Sequence, residues 1–159
     1  MEINTVLPEE HIFTKRLVNI AKPPKRLCFM GKLPDKQAPV VAIVGSRKPS
    51  AYGKEVTEKL ATDLAKAGCI IVSGLALGVD SIAQKAALEA GGVVIGVVAD
   101  ELPSISPRTN HGLAMNIIKH GGAIISEWMK GDGKVVGRWS FLERNRLVSG
   151  LADAIIITE

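Results

Sequence analysis

Aromatic side chains are scarce: two Trp, one Tyr and three Phe make up 4% of the 159 residues. The core therefore has to be assembled from Val, Ile, Leu and Ala, and base stacking can contribute little to any ligand beyond Tyr52, Trp128 and Trp139. Cysteine is nearly absent. Cys28 and Cys69 stand far apart, outside any C-x-x-C pair, which excludes a disulfide scaffold and reads as two thiols in a reducing cytosol. The three histidines, His11, His111 and His120, do not fall in metal-ligand spacing, and no Ser-His-acid arrangement is legible, so no metal and no catalytic residue is assigned. No apolar run reaches the ~18 residues of a membrane span. The opening MEINTVLPEEH places acids where a secretory leader needs bases, so a cytoplasmic location without a membrane partner is expected. The dinucleotide fingerprint G-x-G-x-x-G and the phosphate loop G-x-x-x-x-G-K-[ST] are also missing, which argues against NAD binding and against a Walker-type nucleotidase. No cofactor is implied.

What the sequence does contain is a repeating alternation. Val40 to Val44, Ile70 to Val72, Val93 to Val98, Ala123 to Ile125 and Ala154 to Ile157 are continuous apolar runs, the mark of strands buried on both faces. Between them lie helical patterns. One carries Val56, Leu60 and Leu64 and ends at Gly68. A second starts at Asp80 and a third at Thr109 or Asn110; the last covers about Phe141 to Gly150, after a Gly-rich polar loop at 131–138. Strands alternating with helices predict an α/β fold: a Rossmann-like parallel sheet of about five or more strands with helices on both faces. Residues 1–38, rich in proline and base, read as a lead-in with one short strand near Leu27 to Met30, packed on a 39–159 core.

In an open parallel sheet, ligands bind beyond the carboxyl ends of the strands. After the first core strand comes Gly45-Ser46-Arg47-Lys48, with a glycine for close approach, a hydroxyl, a planar fork and a following helix N-terminus. It suits a phosphate, and it also suits an ordinary strand–helix turn. After the second comes Ser73-Gly74-Leu75-Ala76-Leu77-Gly78, whose small residues admit either a phosphate or close helix–sheet packing. Glu127 ends the fourth strand, placed to accept hydrogen bonds from a ligand or to pair with an arginine. Arg144-Asn145-Arg146 forms a cluster at a helix start, where one arginine faces the cleft and the other makes a structural ion pair. The net charge of +4 favours an anionic partner without identifying one.

Taken together, Val41 to Arg47 with Tyr52-Gly53, Ser73 to Asp80, Pro107 with Asn110, Ser126-Glu127 and Phe141 to Leu151 resemble the DNA-processing protein A (DprA/Smf) family. The resemblance covers about residues 16–159. It implies a Rossmann-like core that binds single-stranded DNA in recombination and natural transformation, with RecA recombinase and a second copy of the chain as further partners. It also implies a C-terminally shortened core. Carried over, Gly45, Ser46, Arg47, Lys48, Ser73, Gly74, Leu75, Gly78, Asn110, Arg144, Asn145 and Arg146 would bind the DNA phosphates. The chain departs from the family pattern at Val97 to Glu101, where a Gly-x-Gly-x-Asp run is usual, at Gln84 in place of histidine, and at Leu142 in place of proline. The alternative reading is a nucleotide-binding or nucleotide-hydrolysing, phosphoribohydrolase-like protein, in which Glu127 acts as the carboxylate.

Overall fold

A computed structural model describes residues 2–159. Its frame is one seven-stranded sheet: β1 (Asn4–Val6), β2 (Leu27–Gly31), β3 (Val40–Val44), β4 (Ile70–Ser73), β5 (Val94–Val97), β6 (Ala123–Ser126) and β7 (Ala154–Ile157), in the order β1-β2-β6-β5-β4-β3-β7. The five core strands run parallel, as their continuous apolar runs require, because both faces of each must be covered. Their bounds agree with the sequence reading to within one residue.

The lead-in contributes more than one short strand. β2 pairs antiparallel with β6, matching Cys28 to Ser126 and Met30 to Ile124, and β1 pairs antiparallel with β2. β1 is three residues long, two of them polar, too short to show a period.

Helices cover both faces. α1 (Ala51–Lys66), α2 (Val79–Glu89) and α3 (His111–Lys119) pack on one side, where Ala61, Ala65, Ala83, Ala87 and Ile117 meet Ile43, Ile71 and Ile124. α4 (Arg138–Leu151) covers the other side together with the 3-10 turn Thr14–Asn19, joining Leu147, Val148, Leu151 and Leu17 to Val40, Val72 and Ile125. The alanine-rich inner faces of α1 and α2 let these helices sit close to the sheet without aromatic filler, which is how a chain with 4% aromatics closes its core.

The chain leaves β3 toward β4, β5 and β6 on one side and returns through α4 to β7 on the other. This reversal opens a crevice at the carboxyl edge beside β3. α4 begins three residues before Phe141, so Arg144 and Arg146 lie in mid-helix rather than at its start. Gly137 supplies an extended N-cap residue whose amide is answered by the Ser140 hydroxyl at 3.2 Å. That cap was not legible, because glycine and serine also read as loop.

Candidate nucleic-acid interface

The carboxyl ends of β3 and β4 meet at one point. The Val79 amide donates to Ser46 O at 3.0 Å, and Gly78 lies against the Ser46-Arg47 backbone, so Gly45, Gly74 and Gly78 share one edge of the sheet as expected. An open cleft of about 430 Å³ lies there between β3 and α4. Arg47, Ala76, Asp80, Phe141, Leu142 and Asn145 are among its walls. A smaller recess of about 160 Å³ continues past Arg47 to Leu77 and Pro107.

Several of the amides expected to be offered to a phosphate are answered internally. The Glu159 carboxylate accepts from the Ser50 amide at 2.7 Å and from the Ser50 hydroxyl at 3.0 Å, and the Ser50 hydroxyl accepts from the Gly53 amide at 3.0 Å. The start of α1 thus already holds an anion. In the second turn, the Asp80 carboxylate accepts from the Gly74 amide at 3.0 Å. Burial pushes the Asp80 carboxyl above the ordinary carboxylate range, and the nearby Arg144 guanidinium opposes that shift. Asp80, whose position suits a helix cap, instead reaches back to the turn before the helix.

Several expected contact residues have their side chains buried or engaged within the fold. The Ser73 side chain is fully buried and its hydroxyl donates to Ile43 O at 2.6 Å. Leu75 is fully buried, with φ +57°. The buried Asn110 amide donates to Leu75 O at 2.8 Å and Ala76 O at 3.1 Å, fixing that unusual turn. Gly74 is buried between Arg144 and Asp80: a methyl there would sit 2.6 Å from Arg144 Nη2 and 2.6 Å from Asp80 Oδ2. Gln84 bridges the strands beneath, its amide donating to Ser73 O at 3.3 Å and Ile95 O at 3.1 Å.

The two arginines of α4 divide their roles: Arg144 lines the cleft although largely buried, and Arg146 makes an ion pair with Glu127. Arg144 is 7% exposed, and its Nη1 donates to Gly74 O at 2.5 Å and to Val97 O, tying the ends of β4 and β5. Its Nε donates to the Asn145 side chain at 3.2 Å. Burial lowers the Arg144 pKa from the usual arginine value, while Asp80 and Asp100 raise it. Arg146 grips Glu127 with two bonds of 2.8 and 2.5 Å and donates further to Lys22 O and Glu143 O. Of the two readings open for Glu127, the geometry supplies the arginine pair. Mid-helix placement is the reason: residues two apart on a helix point to different sides.

Exposed cations remain at the rim. Arg47 and Lys48 are exposed, and among the described residues neither side chain is in an ion pair. The Arg47 guanidinium lies 6.0 Å from the centre of the Phe141 ring. On the other side of α4, a second cleft of about 590 Å³ gathers Lys22, Lys25, Arg26, Lys134 and Arg146. Most of these are already paired: Lys22 with Glu143 at 3.0 Å, Arg26 with Asp132, and Arg146 with Glu127. Among the described residues, no cluster of three His, Cys, Asp or Glu could hold a metal, and no helix is long and apolar enough to cross a membrane.

Glu127→Gln tests the carboxylate. The pair it breaks is largely shielded from solvent, and Gln can still accept one of the two bonds, so the stability cost expected is about 1–3 kcal/mol in urea unfolding. Anion affinity is expected to hold or rise, because Arg146 is released. A strong loss of affinity would assign Glu127 to the ligand instead.

A mostly parallel sheet whose strand order reverses beside β3, with unpaired cations above the reversal, defines a Rossmann-like domain. The chain belongs to the DNA recombination-mediator protein A family, whose model matches residues 4–159. It is 38% identical to Protein Smf of Borreliella burgdorferi over 92% of this chain and 46% of that protein. It is 35% identical to the DNA processing protein DprA of Bacillus subtilis over 99% of this chain and 52% of that one. The chain therefore spans about half the length of these curated relatives. Among solved structures, it matches DNA processing protein A of Helicobacter pylori, described by its single-stranded DNA binding mode, with TM-score 0.82 and 38% identity over 99% of this chain and 69% of that one. It also matches DprA of Streptococcus pneumoniae with TM-score 0.84 and 31% identity, over 99% of this chain and 54% of that one.

Proposed function

We propose that this chain binds single-stranded DNA in the cytoplasm through its phosphates, in a DNA-processing role that serves recombination and natural transformation. The observation that carries the reading is the exposed, unpaired pair of cations Arg47 and Lys48 at the carboxyl edge of β3, beside an open cleft. The family membership and the Helicobacter pylori relative's described binding mode support it. A planar guanidinium forks onto phosphate oxygens, and Lys48 adds a point charge. Gly45 and Ser46 shape the turn that presents both. Gly78 and Asn110 hold the neighbouring turn, and Arg144 ties the strands below. Asn145 is exposed on the cleft wall and can donate an amide hydrogen to the strand. RecA recombinase and a second copy of the chain belong to the proposal as partners that family membership suggests.

The Glu127 carboxylate on which the hydrolase reading depends is engaged by Arg146, which favours the binding reading. Titration of fluorescent oligo-dT, with nucleoside monophosphates in parallel, decides between the two. Saturable oligo-dT binding at low salt, with no free base released from monophosphates, is expected. Base release, or preference for the free nucleotide, would replace this reading with the nucleotide one.

A further inference from the structure

The loop into α4 and its first turns carry apolar side chains that the fold leaves in solvent. Val135 is 86% exposed, Trp139 76% and Leu142 55%. Trp139 and Leu142 are three apart on α4 and so are neighbours on its surface, and Leu142 also lines the cleft beside Arg47. A tryptophan three-quarters in water leaves most of its large apolar surface unburied. Its neighbours along the chain leave positive charge free: Arg138, next to Trp139, and Lys130 are exposed and in no ion pair among the described residues, while Asp132 and Glu143 are both already paired with cations. A partner that satisfies both features carries flat apolar rings on an anionic chain.

We infer that Trp139 is a stacking platform for an unpaired base of the strand whose phosphates pass Arg47, and that it makes this surface prefer single strands over duplex. The inference rests on the DNA reading above. In a duplex every base already has its neighbours on both faces, so a protein indole gains nothing there, whereas an unpaired base can stack on it. Charge alone cannot supply this preference, because phosphates are present in both.

The test uses the full chain. Trp128→Phe leaves Trp139 as the single tryptophan, and oligo-dT is expected to quench its fluorescence, while a blunt duplex of equal length leaves it unchanged. Trp139→Ala is expected to weaken oligo-dT binding about tenfold, the scale of one base–aromatic stack. Duplex binding and the salt dependence are expected to stay as in the parent, since no charge is lost. Trp139→Phe recovers part of the loss, and Trp139→Leu, which keeps apolar area but offers no ring, does not. Trp139 lies outside the core, so thermal unfolding of these variants is expected to match the parent. If Trp139→Ala binds oligo-dT as the parent does while Arg47→Ala is weakened, the platform is refuted and the phosphate reading stands. If the parent binds no oligo-dT, both fall together. Self-association that Trp139→Ala abolishes, with oligo-dT affinity unchanged, would mark the patch as a contact between copies and overturn the platform.

Discussion

Arg144→Ala is expected to lose about 3–5 kcal/mol of stability, the scale at which one partner of a buried charged network is removed. The substitution strands the Gly74 and Val97 carbonyls, which the guanidinium now joins, and leaves Asp80 buried without the positive charge nearest to it. Arg144→Lys is expected to fall between, since an ammonium lacks the fork that reaches two strand ends. Urea unfolding measures both. The pH dependence identifies the mechanism. The folded-state pKa of Asp80 already stands above its unfolded value and rises further without Arg144. A carboxyl whose pKa is raised by folding binds more protons when folded, so its contribution to stability falls as pH rises through the raised pKa. The deficit of Arg144→Ala against the parent is therefore expected to narrow from neutral to mildly acidic pH. A deficit independent of pH would mean that Asp80 and Arg144 are not electrostatically linked.

Gly78→Ala is expected to damage fold and site together. Gly78 has φ +78°, a region that costs an L side chain of order 1 kcal/mol or more. Its missing side chain is also what lets the turn before α2 approach the turn after β3: a methyl would lie 2.7 Å from Arg47 Cα, against backbone rather than a movable side-chain tip. Both terms together predict a loss of about 2–4 kcal/mol. Because the atoms that must yield belong to the Ser46-Arg47 turn, oligo-dT affinity is expected to fall in the fraction that stays folded. Gly91→Ala is the control. Gly91 also has positive φ, +79°, but a methyl there meets nothing within 4 Å. It is expected to show the conformational cost alone and unchanged DNA binding. Equal effects from the two would remove the close-approach argument.

The core strands were legible because each is buried on both faces and so reads as an unbroken apolar run, Val40 to Val44 being the clearest. β1 was not, since three residues, two of them polar, carry no pattern. The placement of Gly45, Gly74 and Gly78 at one edge followed from the parallel direction of the strands alone. The partners of the polar groups did not follow. Nothing local in the sequence says that Asp80 answers the Gly74 amide, that Glu159 answers Ser50 across 109 positions, or that Asn110 reaches back to Leu75. The last two of these bonds join segments 109 and 35 positions apart, and the first, across six positions, depends on how the turn between Gly74 and Asp80 folds, which residue type and spacing do not record. The same holds for Arg144 and Arg146, whose cluster was visible but whose burial and pairing depend on where α4 starts.

The most direct measurement is the salt dependence of oligo-dT binding by the parent, Arg47→Lys and Arg47→Ala. Each phosphate neutralised on a single strand contributes a slope of about −0.7 in log K against log salt. Arg47→Ala is expected to bind about tenfold more weakly, with a slope shallower by ~0.7 and no change in sequence preference. Arg47→Lys is expected to keep the parent's slope at an affinity between the two, since it keeps the charge and loses the fork. A parent slope near zero, or an Arg47→Ala variant with the parent's slope and affinity, would contradict the account.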